Sequence, residues 1–357
     1  MADITCGPLS ASFEHDPPSK GDLRRLRGLV DDEVVPLVDE VAARAPASVV
    51  ALGGTVRALA RLVAVAHGVW LPADSVTNHL TVTTAQLRRV QDDLVALDYG
   101  RRLDVPGMKD ARADHIHVAA IILVEVFDRL GIEEVTVSDW GLREGLLLDA
   151  LGATDVLTGP ELRRREVARV QATFLPADDA HPDHVAELAG LLFDELVDVH
   201  ELGDDDRELL QHAAHLHTIG EALALRRSHR HGAYLLENAE LRGFAPHDIA
   251  VLATLVRFHG ARGIDRRFAP AASLDAGRRR RVERLLPLLQ LADVLDRARD
   301  QAVHDVHADD DGEVVTVAVA GDPHLDAADL ERRAAWFQRV FDRRLRLVDA
   351  DTAAGHG

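Results

Sequence analysis

Residues 48–66 read SVVALGGTVRALARLVAVA, and this stretch decides the first half of the fold. Ser48 to Leu52 is a short apolar run, Gly53-Gly54-Thr55 stops it, and Val56 to Ala66 repeats apolar residues at helical spacing. Strand, Gly-Gly-Thr, helix is the arrangement. Glycines at such a junction let backbone N–H groups approach an anion closely, and the helix dipole with a threonine hydroxyl favours phosphate. Gly53, Gly54 and Thr55 are therefore candidate phosphate ligands, with a plain tight turn as the competing reading.

Working outward, Ile4 to Phe13 alternates loosely and is expected to be a strand ending at Asp16-Pro17-Pro18. Ser19 with Asp22 gives an N-cap signal, and Leu23, Leu26, Leu29, Val30, Val34 and Leu37 extend it as a helix to about Ala45. Helices are expected over 84–98 and over 111–130, the second with a buried middle, HVAAIILVEVF. Glu134 to Ser138 reads as a strand, broken by Asp139-Trp140-Gly141 before a helix beginning at Leu142. Beyond about residue 160 helical patterns follow one another through residue 304. Glu313 to Val319 and Arg343 to Val348 alternate as strands around a helix over 326–342. Three domains are expected: 1–157 mixed α/β, 158–305 all-helical, and 306–357 a small α+β piece with a tail.

Composition narrows the class. The 357 residues are 47% apolar and 28% charged, enough to bury a core, which excludes wholesale disorder. Forty-one basic against 60 acidic residues leave a net charge of −19, so a general nucleic-acid-coating protein is excluded and sequence-specific nucleic-acid binding is not expected. Cys6 is the single cysteine, which removes intrachain disulfides and multi-cysteine metal sites and points to a reducing cytoplasm. The apolar run Val118 to Val124 is far short of the ~20 residues that span a bilayer. The first residues lack a charged segment followed by an apolar one, so neither a membrane segment nor a secretory signal is expected.

Within this acidic chain, Glu221 to Leu285 carries thirteen arginines against seven carboxylates. Arginine forks pair with phosphate oxygens, so the strip suggests a polyanionic ligand, against the alternative of a solvated helix face, particularly for Arg278 to Arg281. The all-helical domain over 158–305 holds His184, His212, His215, His217, His229, His231, His247 and His259. Metal-dependent phosphohydrolases of the HD class require a His, then an adjacent His-Asp pair, then a later Asp. His184, His217 and Asp293 fall in that order, but Thr218 follows His217, and a neutral hydroxyl cannot replace a bridging carboxylate. The expectation is a degenerate HD-like site with no tightly bound metal.

Several ordered motifs carry a family resemblance. Gly53-Gly54-Thr55 with its helix, Arg112-Ala113-Asp114, and Val137-Ser138-Asp139-Trp140-Gly141-Leu142-Arg143-Glu144-Gly145-Leu146-Leu147, which matches S-D-x-G-L-R-E-G, are similar to the second actin-like domain of the Ppx/GppA family of exopolyphosphatases and guanosine pentaphosphate phosphatases. Leu216 to Gly220, Ser228 to Leu236, Leu255 to His259 and Leu291 to Asp296 resemble, in order, the HD-like domain of its longer members. The resemblance implies α/β plus α architecture: a partial actin-like (ribonuclease H-like, ASKHA) domain, an all-helical HD-like domain and a small α+β C-terminal piece, in a bacterial cytoplasmic protein. It implies hydrolysis of phosphoanhydride bonds in inorganic polyphosphate or guanosine pentaphosphate, with Mg2+ as cofactor and a homodimer as assembly. Arg226, Arg227, His229, Arg230, His231, Arg257 and His259 would hold the polyanion.

Family members open with a first actin-like domain that bears a phosphate loop and a glutamate base, followed by a D-x-G-G-G-S-T-E loop. These motifs are not found here, and the Mg2+ ligands and base are expected to lie outside this chain. Independent catalysis by the 357 residues is therefore not expected. The alternative is a catalytically silent module that binds polyphosphate or a guanosine alarmone.

Overall fold

The computed structural model describes residues 13–44, 48–72, 77–153 and 157–350, with the side chains of 34–37 also left aside. The strand expected over Ile4 to Phe13 lies, except for Phe13, outside the described residues. The chain divides into two compact units, 1–156 and 157–357.

In the first unit, helix α1 (Lys20–Ala42) starts at a complete capping box: the Asp22 carboxylate accepts from the Ser19 hydroxyl at 2.7 Å and its N–H at 2.9 Å, while Asp22 N–H donates to Ser19 Oγ. The Ser19 hydroxyl foremost, with further N–H donors, holds the Asp22 carboxyl well below the usual carboxylate range. Leu26 and Val30 of this helix bury against Val118 and Ile121 of the near-continuously apolar helix α5 (Ile116–Arg129). Among the described residues three strands form the sheet: β1 (Val50–Leu52), β2 (Thr81–Thr83) and β3 (Glu134–Ser138), in the order β1-β3-β2. β1 runs parallel to β3, with Leu52 opposite Ser138, and β2 runs antiparallel to it. Helices α2 (Gly54–Ala66) and α3 (Thr84–Val95) cover the sheet with Leu59, Val63, Leu87 and Leu94 against Val135 and Val137. Short helix α4 (Tyr99–Leu103) precedes α5, and α6 (Leu142–Ala150) follows β3 with Leu142, Leu146, Leu147 and Leu151 exposed. The long helix expected over 111–130 begins instead as a 3-10 turn at Asp110–Arg112, and α5 starts only at Ile116.

The second unit packs α7 (Gly159–Phe174), α8 (His181–Glu195), the one-turn α9 (Val197–His200), α10 (Asp204–Leu216), α11 (Ser228–Asn238), α12 (Pro246–Phe258), the short α13 (Ala269–Ser273) and α14 (Ala276–Leu295) around a leucine-rich core that includes Leu188, Leu192, Leu210, Leu252 and Leu289. The C-terminal piece set apart above as 306–357 belongs to this unit. Its sheet has the order β4 (Asp305–Asp310), β5 (Val314–Ala320), β6 (Arg344–Asp349), and α15 (Ala327–Phe341) packs on α14. Glu195 of α8 accepts from the Ala308 N–H at 2.8 Å, tying the sheet edge to the helices. No described helix is long and apolar enough to cross a membrane.

One contact sets the position of α11. Gly220, in the 3-10 turn Ile219–Ala222, meets α11 backbone to backbone: a methyl added to it would overlap the Ser228 carbonyl oxygen and the Gly232 nitrogen. Gly232 faces Val256 of α12, whose methyl would lie 2.9 Å from an added Cβ.

Candidate functional site

Candidate residues gather at three places, one in the first unit and two in the second. In the first unit, the parallel strands β1 and β3 end side by side, which brings Gly53-Gly54-Thr55 and Ser138-Asp139 to one carboxyl edge of the sheet, the edge where α/β sheets bind ligands. Gly53 has φ +107°, a conformation that favours glycine, and it turns the chain into α2. Arg112 lies over the start of α2: its Nη1 donates to Thr55 Oγ1 at 3.1 Å, and a Cβ on Gly54 would meet its Nη2 at 2.5 Å. A guanidinium on the positive pole of a helix leaves an excess of positive potential, a setting suited to an anion. Arg57 reaches the same edge and donates to the Asp139 carbonyl at 3.4 Å. The Asp139 carboxylate is occupied, accepting from Thr77 Oγ1 at 2.8 Å and from the N–H groups of Thr77 and Asn78. In the S-D-x-G-L-R-E-G segment Glu144 likewise closes the turn, accepting from Gly141 N–H at 2.8 Å. These two acids organise loops.

In the second unit, the arginine-rich strip separates into two populations. Asp275, Glu201 and Asp206 engage Arg278, Arg280, Arg281 and Arg284 in ion pairs, which makes that run a solvated, neutralised face. Among the described residues Arg226, Arg227, Arg230 and Arg257 form no ion pair. His229, Arg230 and Arg257 line a cavity of about 390 Å³ with Asp265, Arg267, Phe258 and Phe268. Arg257 stacks 5.6 Å from the Phe258 ring centre and 5.7 Å from that of Phe268. Burial and the adjacent Arg230 lower the Arg257 guanidinium from its ordinary value, and the nearby Asp265 and Glu237 carboxylates offset this only in part. Burial, then Arg257 and Arg230, lower His229 as well. Arg267 faces the cavity already paired with Asp265, at 2.9 Å.

Not every expected polyanion residue joins this cavity. Arg226 and Arg227 are exposed on the loop before α11, Arg227 with φ +62°, and His231 lies two residues beyond His229 on the helix without lining the cavity. His259 turns away from it: its ring stands 5.2 Å from that of His217, edge to face, and its Nδ1 bonds the Val256 carbonyl.

The degenerate HD set also needs a correction. His184, grouped above with His217 and Asp293, is not the histidine that meets them; it faces Glu187 at 3.8 Å. His181, one turn earlier on α8, takes the place, and His181, His217 and Asp293 form a buried cluster whose ligand-capable atoms lie within 4.8 Å of one another. Thr218, next to His217, is buried, and its hydroxyl has no hydrogen-bond partner among the described residues. The Mg2+ implied by the resemblance does not fit here. Mg2+ requires octahedral oxygen ligands, whereas two of these three donors are imidazole nitrogens, and at the first unit's edge the Asp139 oxygens are taken.

Other buried histidines give a pH dependence. Burial pushes His117 and His212 down to about 4. Both are neutral in the folded chain near pH 5, while the unfolded chain protonates them below about 6.5. Unfolding then takes up protons, so each contribution to stability is complete above pH 6.5 and declines as pH falls, by up to about 1.4 kcal/mol per pH unit for each histidine. Thermal denaturation at pH 7.5, 6.5 and 5.5 should show midpoints dropping between the last two; a constant midpoint contradicts neutral burial.

Comparison with known proteins agrees with the motifs. The model of the Ppx/GppA phosphatase family matches residues 3–154, and that of Ppx/GppA phosphatase domain III matches residues 162–333. The chain belongs to the Ppx/GppA phosphatase family. A guanosine-5'-triphosphate,3'-diphosphate pyrophosphatase of Vibrio cholerae serotype O1 is 30% identical over 223 residues, which make up 62% of this chain and 43% of that protein. Among solved structures, an exopolyphosphatase from Cytophaga hutchinsonii is 26% identical with a TM-score of 0.39, over 44% of this chain and 50% of its own. The Aquifex aeolicus family member is 23% identical with a TM-score of 0.36, over 43% and 49%. The chain thus spans less than half the length of the curated relative it matches.

Proposed function

We propose that this chain carries the phosphate-handling parts of an exopolyphosphatase-type phosphohydrolase that acts on inorganic polyphosphate or guanosine pentaphosphate. Gly53, Gly54 and Thr55, with Arg112, seat a phosphate at the sheet edge. His229, Arg230 and Arg257 hold the anionic chain in the helical unit, with Arg226 and Arg227 attracting it from the loop. The observation that carries this reading is the pair Arg230 and Arg257, two guanidinium groups kept close without ion-pair partners in a chain of net charge −19. Guanidinium forks recognise phosphate oxygens two at a time, and an acidic surface elsewhere repels unwanted anions.

A second reading has its own support. Hydrolysis requires a carboxylate free to aim a water in line with the leaving oxygen. Asp139, at the same sheet edge as the Gly-Gly-Thr turn, already accepts three hydrogen bonds. We therefore read the 357 residues alone as a binding module without turnover. Phosphate release from long-chain polyphosphate with Mg2+, measured beside binding, tests both readings. Binding without release is the expected result; release by this chain would overturn the claim of silence, and absence of both would overturn the proposed substrate.

A further inference from the structure

A second cavity of the helical unit, of about 490 Å³, lies between the loop that follows α12, the first turns of α14 and the helix α15. Its wall is apolar: Ala271, Leu274 and Val282 are buried there beside the Trp336 indole. The loop is pinned from below by the buried Gln290, whose Nε2 donates to the Phe258 and Ala261 carbonyls at 3.0 and 2.8 Å. At Gly263 the same loop runs against the indole, where an added Cβ would lie 3.1 Å from Cζ3 of the ring. The cavity is therefore shaped by backbone that the core holds in place. It shares only Asp265 with the cavity of Arg230 and Arg257, so the inference drawn from it does not rest on polyphosphate binding.

The polar groups of this cavity select its ligand. Its acceptors are committed: the Asp265 carboxylate to Arg267 at 2.9 Å, Glu283 to Arg266 at 3.6 Å, and the Thr254 hydroxyl to the Ala250 carbonyl at 2.7 Å. What remains are donors. Trp336 Nε1 is buried without a hydrogen-bond partner among the described residues, and so is Arg279 Nε, although Arg279 Nη2 donates to the Leu274 carbonyl at 2.9 Å. Arg339 forms no ion pair among the described residues and holds its guanidinium 5.4 Å from the centre of the Trp336 ring. An indole N–H and a guanidinium can only donate, and a buried donor left unmet is costly, so the matching group is one that only accepts. Three arginines against two carboxylates leave the lining positive, which makes that group an oxyanion, while the apolar wall suits a carbon body. We propose that this cavity binds a small organic oxyanion, a carboxylate or phosphate monoester on an apolar body, received by Trp336 Nε1, Arg279 Nε and the Arg339 guanidinium. The rival is a cavity that holds ordered water alone.

The test reads the indole N–H directly. Trp70, Trp140 and Trp336 give the full chain three indole signals in a nitrogen-15 spectrum, and single Trp→Phe variants assign them, any two being enough. Phenyl phosphate or benzoate should move the Trp336 signal saturably, in the millimolar range for probes this small, and the tighter of the two identifies the oxyanion. Arg339→Ala removes an exposed side chain that the fold does not need and should weaken that binding about 10- to 100-fold. Inorganic phosphate and phenol, each with half of the required chemistry, should bind at least about tenfold more weakly. No saturable movement of the Trp336 signal with either probe would overturn the proposal in favour of water alone. Equal binding of inorganic phosphate or of phenol would overturn it too, as would full binding in Arg339→Ala. Loss of probe binding in the Arg230→Ala, Arg257→Ala double variant would move the ligand to the neighbouring cavity and likewise contradict it.

Discussion

Replacing Arg230 and Arg257 together with alanine is expected to weaken polyphosphate binding by about 10²- to 10⁴-fold, since each hydrogen-bonded charge contributes about 1.5–3 kcal/mol. The effect is large because neither cation is held in an ion pair: burial and Arg230 lower the Arg257 guanidinium, Asp265 and Glu237 offset this only in part, and an incoming phosphate relieves the repulsion. Losing them should also flatten the salt dependence of the remaining affinity. Arg257→Lys separates charge from shape. It keeps the cation but loses the planar stack on Phe258 and Phe268, and should fall between wild type and alanine. Arg280→Ala, which removes an arginine paired with Glu201 on the neutralised face, serves as the control and should bind as wild type. Binding isotherms at two salt concentrations check all three; equal loss in Arg280→Ala would assign the affinity to bulk charge.

Gly220→Ala is expected to destabilise the second unit by about 3 kcal/mol and to impair the cavity with it, the upper range for overpacking a well-filled interior. The added methyl would meet the Ser228 carbonyl and the Gly232 nitrogen, both backbone atoms, so relief requires moving α11 as a body. That helix carries His229 and Arg230. Gly232→Ala makes the contrast: its neighbour is a Val256 methyl at 2.9 Å, a side chain that can shift, and alanine gains helix propensity of about 1 kcal/mol over glycine. Its net effect should be near zero. Denaturant titration of both variants checks the order, and a Gly220→Ala variant as stable as wild type would contradict the backbone contact.

These cases show what was legible in the sequence. The Ser19 and Asp22 cap, strands β1, β3, β5 and β6, and the glycine turn at 53–54 all follow from local rules, because capping, alternation and φ freedom involve neighbours in the chain. Strands β2 and β4 were not legible. Thr81-Val82-Thr83 is three residues long with one apolar side chain, and Asp305 to Asp310 (DVHADD) is acidic with Val306 alone buried; each is an outer strand formed because a better strand offers it hydrogen bonds. Charge counting found the arginine-rich strip but not which arginines are neutralised, because the partners of Arg280, Arg281 and Arg284 are Glu201 and Asp206, far back along the chain.

At the histidine cluster, spacing alone could not choose between His181 and His184, which lie one turn apart on the same helix. The distinguishing signal is Asp296, three residues after Asp293, which provides the acceptor that fixes His181. Arg112 shows the same limit at the phosphate turn. The Gly-Gly-Thr junction announces itself, but the guanidinium that completes it arrives from 57 residues away.

The central claim is that the cationic cavity of the second unit binds polyphosphate, and calorimetric titration of the 357-residue chain with long-chain polyphosphate across a series of NaCl concentrations tests it most directly. The account predicts saturable binding whose logarithmic affinity falls linearly with the logarithm of salt concentration and is largely lost in the Arg230→Ala, Arg257→Ala double variant. No binding at low salt, or binding indifferent to both salt and those two arginines, would contradict it.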